Sequence, residues 1–302
     1  MLRRRASALL LLLLAAGCAS GPRRGILTAA DVPPGWSLYA TAHYQVLTDS
    51  GEEDARALAE RLEGVLALYR RILPTDRELP RFPVRVFRTY AAYREYGGED
   101  GTAGCYDQST GDLVLTQFEG YGDGDPMVRR PSPYELVTTA HHEAWHQYFH
   151  WYLDTDEDPP VWFDEGMADY FGQARSVPAN STNAGAPDAP NGRKWDIGRL
   201  NPAWLDSVRA GVATGKSVPL RTFVHLTRHE YYKTPSLCYP QGWALVYFLL
   251  NSADPRTREV PDVLVQALRD GAESPTAVDE AFAGMDWAKL EAEWKKYVST
   301  LR

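Results

Sequence analysis

Apolar and polar residues alternate along several segments in the first part of the chain, whereas in other segments apolar residues recur every three or four positions. The first pattern predicts β-strands and the second predicts amphipathic helices. In chain order they predict a strand over 43–48, a helix over 52–73, a strand over 82–87, a short helix over 90–96, and a hairpin of strands over 104–107 and 112–116. Pro74 ends the long helix, and a Ser-Thr-Gly turn connects the hairpin.

From Pro133 onward the pattern is helical. The predicted helices cover 136–152 and 161–174, followed by segments near 202–210, 219–228, 237–252, 260–270 and 286–301. Residues 176–193 are rich in Pro, Asn, Gly and Ala and are predicted to form a loop. Strands that precede a run of helices indicate an α+β fold, with a small mixed N-terminal sheet and a mostly helical C-terminal half.

The first residues have the composition of an export signal. Three arginines, Arg3 to Arg5, precede an apolar segment over 9–14 that is too short to span a bilayer. Small residues then lead to a cysteine in the sequence Leu14-Ala15-Ala16-Gly17-Cys18. This arrangement resembles the bacterial lipoprotein signal, which implies removal of residues 1–17 and a lipid anchor on Cys18. An ordinary secretory signal is the alternative, and both predict export from the cytoplasm.

Beyond the signal, the sequence divides into a tether and one domain. Residues 18–35, rich in Gly, Pro, Ala and Arg, are predicted to be the tether. The domain covers 36–302, with an N-terminal α/β part over 36–132 and a helical part over 133–302. If Cys18 is lipidated, the absence of an acidic residue directly after it favours sorting to the outer membrane. We therefore expect a lipid-anchored protein of the cell envelope, in the periplasm or on the surface.

Charge and cysteine content narrow the classes of partner. The net charge of −8 becomes more negative when the arginines of the signal are removed, so nucleic-acid binding is not expected. No later apolar run reaches membrane-spanning length. Besides Cys18 the chain has Cys105 and Cys238, which an exported protein can join in a disulfide or keep as buried thiols.

The strongest chemical signal is the segment His142-Glu143-Ala144-Trp145-His146. Residues four apart on a helix lie about 40° apart around its axis, so both imidazoles point the same way. Eighteen residues later, Glu165 supplies a carboxylate on its own predicted helix. A hydrolytic Zn²⁺ site has three protein ligands and one position for water. We therefore predict that His142, His146 and Glu165 bind one Zn²⁺ per chain.

Two further acids are given roles around this site. Glu143 is rotated about 100° from His142 and is predicted to act as general base on the zinc-bound water. Metal-binding histidines usually donate their second N–H to a carboxylate, and Asp169, one turn after Glu165, is the predicted partner of His142. A solvated surface acid is the alternative for Asp169. Asp164 is expected to face away from the site and to cap a helix.

The remaining histidines of this helix are not expected to bind the metal. His141 must point about 100° away from His142, and is predicted to be a packing or surface group. His150 continues the stripe of His142 and His146, but three such positions span about 12 Å of helix axis, which is too long for one ion.

The motifs resemble those of the gluzincin zinc peptidases. His-Glu-Ala-Trp-His, the eighteen-residue gap and Trp-Phe-Asp-Glu-Gly-Met-Ala are similar to the aminopeptidase N family. The segment from Tyr239 to Val246 resembles the tyrosine-containing segment of that family, and the resemblance implies that Tyr239 stabilises the oxyanion. A buried core tyrosine is the alternative. By the same analogy, the strand at 113–115 is expected to be a sheet edge that pairs with the substrate backbone.

The chain also departs from that family. It lacks the Gly-Ala-Met-Glu-Asn type of segment that grips a free N-terminus, and Gln241 replaces the usual lysine. Overall it is more similar to the small bacterial peptidase-MA-like domains, which implies a zincin-like fold. The expected function is an exported zinc metallopeptidase that acts on a peptide or protein substrate. A non-catalytic envelope binding protein on the same scaffold, or a zinc hydrolase for another amide, are the alternatives.

Overall fold

The structure is a computed structural model, and it describes residues 27–119, 133–178, 180, 186–189 and 193–302. The predicted signal segment 1–17 and the predicted lipid site Cys18 lie outside these residues. Within the described ranges, every helix is too short or too polar to cross a membrane.

The end of the predicted tether packs onto the domain. Leu27 is buried, and its backbone N–H donates to Gln45 Oε1 at 2.8 Å. The amide of the buried Gln45 donates in return to the carbonyl of Leu27 at 2.9 Å. The side chain of Gln45 thus makes with the backbone of Leu27 the pair of hydrogen bonds that a neighbouring strand would make. This pairing fixes where the chain enters the fold.

A five-stranded mixed sheet forms the N-terminal part. Its strands are β1 (Ser37–Ala40), β2 (Tyr44–Thr48), β3 (Phe82–Thr89), β4 (Gly104–Asp107) and β5 (Asp112–Glu119). The order across the sheet is β1-β2-β3-β5-β4. The pairs β2–β3 and β3–β5 are parallel, and the outer pairs β1–β2 and β4–β5 are antiparallel. The predicted α+β class and mixed sheet are confirmed.

The predicted edge strand is in the interior of the sheet. Residues 113–115 belong to β5, which pairs with β3 on one side and with β4 on the other. The hairpin was predicted correctly, but β4 is added outside β5 and takes the edge position. The prediction that Leu113 to Leu115 form the edge is therefore wrong, and β4 and β1 are the edge strands.

The helical part follows the sheet. The helices are α1 (Glu52–Ile72), α2 (Tyr90–Tyr96), α3 (Pro133–Leu153), α4 (Val161–Gly172), α5 (Pro202–Ala213), α6 (Leu220–Phe223), α7 (Arg228–Lys233), α8 (Pro235–Asn251), α9 (Pro255–Arg269), α10 (Ser274–Ala281) and α11 (Trp287–Thr300). The single helix predicted over 219–228 is instead two short ones. Thr227 and Glu230 form a capping box that starts a new helix, α7, near the predicted end. The short α10 was not predicted.

Part of the predicted loop over 176–193 belongs to a second small sheet. Its antiparallel strands are β6 (Arg175–Val177), β7 (Ala186–Ala189) and β8 (Arg193–Asp196), in the order β6-β8-β7. The Pro- and Gly-rich composition of this segment indicates a loop instead. Strands of three or four residues are too short to show a clear alternation of apolar and polar residues. The same reason accounts for β1, which was also not predicted.

Tyr69 of α1 connects the sheet layer to α3. Its ring packs edge-on against Trp145 and Phe171, with ring centroids 5.5 Å and 4.8 Å apart. Its hydroxyl donates to the backbone carbonyl of His141 at 2.6 Å. Both contacts are buried, so α3 is held firmly at the turn that carries the histidines.

The helix α4 is buried on all sides, since each of its twelve residues is buried. A helix surrounded by protein has no face reserved for solvent. On the side of α8 the two backbones come very close: a Cβ atom at Gly166 would lie 2.7 Å from the carbonyl oxygen of Gly242. This close approach sets the depth of α4 and so the position of the neighbouring Glu165.

Candidate metal centre

Three side chains from α3 and α4 meet at one point. His142 and His146 lie one turn apart on α3, and their Nε2 atoms are 3.2 Å from each other. Glu165 of α4 places Oε2 3.2 Å from the Nε2 of His142 and 3.7 Å from that of His146. The structure thus brings together the three ligands proposed from the sequence.

The spacing of these atoms fits a zinc ion. Tetrahedral ligands at bond lengths of about 2.0–2.2 Å lie about 3.3–3.6 Å from one another. The three observed separations, 3.2, 3.2 and 3.7 Å, bracket that range. Among the residues that the structure describes, the buried Oε2 of Glu165 has no hydrogen-bond donor. A buried carboxylate oxygen facing two imidazole nitrogens is the arrangement that a bound cation satisfies.

Carboxylates hold the other nitrogen of each histidine. His142 Nδ1 lies 2.9 Å from Asp169 Oδ1, and His146 Nδ1 lies 2.7 Å from Asp164 Oδ1. An ionised carboxylate only accepts hydrogen bonds, so each Nδ1 carries the hydrogen and each Nε2 can offer its lone pair to a metal. The contact predicted between His142 and Asp169 is therefore present.

The prediction for Asp164 is wrong. Its side chain does not cap α4, whose N-cap is Pro160, but turns inward to the imidazoles of α3. It accepts hydrogen bonds from His146 and, at 3.2 Å, from His150 Nε2. Neighbouring residues of a helix point about 100° apart, so a residue next to Glu165 is expected to face away from the site. In a helix that is buried all round, adjacent residues both face protein.

The negative charge of buried carboxylates dominates the electrostatics of the site. Burial alone lowers the pKa of His146, but the charges of Asp164 and Glu165 outweigh it and raise the pKa to about 10. For Glu165, burial raises the pKa, and the adjacent imidazoles of His142 and His146 outweigh it and hold the pKa well below its usual range. The carboxylates around two imidazoles thus supply the negative charge that a dication requires.

Glu143 lies beside the ligands but does not join them. It is half-buried on α3, and it makes no hydrogen bond within the described part of the chain. Burial raises its pKa, against the opposing effect of the two histidines. Burial and the charge of Glu143 also raise the pKa of the Cys105 thiol on β4 to about 11. The charge of Glu143 thus acts on both the two histidines and the edge strand β4, against which α3 packs.

The cysteines and His141 have structural environments. Cys105, which is half-buried, and Cys238, which is buried, are free thiols in the structure, so they form no disulfide and only Cys238 is the buried thiol that was the alternative. His141 is fully buried, with its ring 5.8 Å from that of Trp195 on β8. Burial lowers the pKa of His141 to about 3, so its ring is neutral at physiological pH. Of the two alternatives for His141, it is a packing group.

A second group of possible ligands shares one histidine with the first. His146, His150 and Asp164 also place ligand atoms close together. In this group, however, Arg228 Nη2 lies 3.4 Å from Asp164 Oδ2. Since the guanidinium already supplies a positive charge to that carboxylate, a second cation there is disfavoured. The group of His142, His146 and Glu165 is the better metal site.

Two tyrosines lie close to the ligands. Tyr239 is in the second turn of α8, half-buried, with its ring 6.2 Å from that of Tyr232. Its hydroxyl makes no hydrogen bond with any described residue, and burial and the charge of Glu165 raise its pKa. Tyr232 of α7 was not predicted, yet its hydroxyl donates to Glu165 Oε1 at 2.5 Å. Tyr232 lies beyond the single helix predicted over 219–228, so it was not among the predicted site residues.

Comparison with known proteins adds no assignment. No protein-family model matches the chain, and a search of curated proteins gave no match. The resemblance to gluzincins therefore rests on the sequence motifs, and the functional argument rests on the geometry of the site.

Proposed function

We propose that the protein is a zinc-dependent peptidase of the gluzincin type on a zincin-like fold. The observation that carries the proposal is the convergence of His142 Nε2, His146 Nε2 and Glu165 Oε2 at separations suited to one tetrahedral ion. These three residues would hold the metal. When bound, zinc supplies a Lewis acid that polarises a carbonyl and lowers the pKa of water.

Glu143 is the proposed general base. It lies one residue after His142, and its carboxylate is free of hydrogen bonds to described residues. A carboxylate in a partly dry environment accepts a proton more readily than one in water, and burial raises the pKa of Glu143 in that direction. In the proposed reaction it takes a proton from the attacking water and then gives it to the leaving amine.

Tyr239 is the proposed donor to the carbonyl oxygen that becomes negative in the transition state. Its raised pKa keeps the phenol protonated at neutral pH, as a hydrogen-bond donor must be. Since its hydroxyl has no partner among the described residues, a substrate oxygen can take that role.

The edge strand β4 is the proposed docking site for the substrate backbone. Its inner side pairs with β5, and its outer side is the sheet edge. An extended peptide can add to such an edge through main-chain hydrogen bonds. The role expected of 113–115 thus passes to 104–107, on a strand that packs against α3. A lipid anchor on Cys18 at the cell envelope completes the proposal.

Removal and restoration of the metal tests this function. We expect the purified protein to cleave members of a peptide library, to lose that activity after treatment with a chelator, and to regain it with added zinc. New peptide termini, identified by mass spectrometry, are the readout. Cleavage that survives complete metal removal would contradict the proposal, and cleavage of non-peptide amides alone would indicate a different zinc hydrolase.

A further inference from the structure

Helix α7 presents two polar side chains to the candidate metal centre and its surrounding carboxylates. Arg228 and Tyr232 are four residues apart, so they lie on the same side of this helix. The capping box of Thr227 and Glu230 fixes the start of the helix directly before Arg228. Both side chains are half-buried. Tyr232 contacts the proposed ligand Glu165, and Arg228 contacts Asp164, the partner of His146.

The first contact, from Tyr232, gives the two carboxylate oxygens of Glu165 different environments. Tyr232 donates its hydroxyl hydrogen to Oε1 at 2.5 Å, which is short for an O–H···O bond. Oε2 has no such partner among the described residues and faces His142 and His146. One oxygen is thus occupied by the protein, and the other remains for a cation.

The second contact joins the two sides of the site. Arg228 Nη1 donates to the Tyr232 hydroxyl at 3.3 Å, and Nη2 donates to Asp164 Oδ2 at 3.4 Å. Asp164 in turn accepts from His146. One guanidinium therefore connects the partner of Glu165 to the partner of His146. A planar group with fixed donor directions suits this role better than a flexible ammonium.

We propose that Tyr232 and Arg228 are positioning residues that hold Glu165 as a one-oxygen ligand of the metal. The inference rests on the proposed metal site and adds to it. A carboxylate can bind a metal through one oxygen or through both. Because Tyr232 retains Oε1, Glu165 would offer Oε2 alone to a bound ion. Arg228 keeps the Tyr232 hydroxyl aimed at Glu165.

The variant Tyr232→Phe removes the hydroxyl and keeps the ring. Loss of a hydrogen bond to a metal ligand lowers metal affinity by roughly 10–100-fold. We expect that loss for zinc, measured by competition with a chromogenic chelator. With Co²⁺ in place of zinc, we also expect weaker visible absorption than in the wild type, since release of Oε1 raises the coordination number of the ion.

Tyr231→Phe is the matched control. Tyr231 precedes Tyr232 on the same helix, and its buried hydroxyl has no hydrogen-bond partner among the described residues. Its removal should leave zinc affinity and the cobalt spectrum unchanged. Arg228→Gln, which retains Tyr232, should lower zinc affinity by a smaller factor than Tyr232→Phe. Thermal unfolding of the metal-free variants shows that each is folded.

The outcomes separate this inference from the metal site itself. If the wild type binds zinc tightly and Tyr232→Phe binds it equally well with an unchanged cobalt spectrum, the positioning role is overturned and the metal site stands. If the wild type binds no zinc, both are overturned. Should Tyr232→Phe fail to fold, an Arg228→Gln variant with wild-type affinity and spectrum would overturn the inference.

Discussion

Replacing Glu143 with glutamine should lower the rate of peptide cleavage by roughly 10²–10⁴-fold, the usual contribution of a general acid–base group. Glutamine has nearly the same shape but cannot accept a proton. Since the ligand atoms belong to His142, His146 and Glu165, the variant should still bind about one zinc per chain. The measurements are the cleavage rate at saturating zinc and the metal content after dialysis.

Glu99→Gln provides the matched control for this variant. Glu99 is exposed, and its charge also raises the pKa of Glu143, so the substitution removes a nearby carboxylate without removing the proposed base. Its effect on the cleavage rate should be small. Cleavage at the wild-type rate by Glu143→Gln would exclude Glu143 as the base.

Replacing Glu165 with alanine should remove zinc from the protein. The change deletes a proposed ligand atom. The loss of zinc affinity should therefore exceed roughly 100-fold, the upper end of the loss expected when a residue that only contacts a metal ligand is removed. It also leaves the hydroxyl of Tyr232 without its acceptor. Zinc content should fall far below one ion per chain, and added zinc should no longer raise the unfolding temperature.

His150→Ala distinguishes the two possible metal groups. In the proposed site His150 is not a ligand, and its Nε2 instead lies 3.2 Å from Asp164 Oδ2, so its removal should leave zinc bound. If the ion were instead held by His146, His150 and Asp164, His150→Ala would lose zinc and Glu165→Ala would retain it. That reversal would contradict the proposed ligand set.

The two histidines of the proposed metal site were accessible to sequence reasoning because helix geometry fixes their common direction. Two histidines four residues apart must share a side of α3, whatever surrounds that helix. The same regularity made α1, α2, β3 and the β4–β5 hairpin predictable, since each is long enough, or has a clear enough turn, to show its period.

The wrong or missing predictions concern residues whose positions depend on tertiary contacts. The inward turn of Asp164 depends on the complete burial of α4, and the interior position of β5 depends on which side β4 adds to. Tyr232 contacts Glu165 across 67 positions of sequence, and neither its spacing nor its neighbours indicate that contact. Such relations belong to the packing of separate elements and have no local sequence signal.

The most direct test of the metal site is the position of zinc in crystals of the protein, located by anomalous scattering at the zinc edge. We expect one ion bonded to His142 Nε2, His146 Nε2 and Glu165 Oε2, each at about 2.0–2.2 Å, with the fourth position open to solvent. An ion placed between His146 Nδ1, His150 and Asp164, or one closed off by a fourth protein ligand, would contradict the proposed peptidase site.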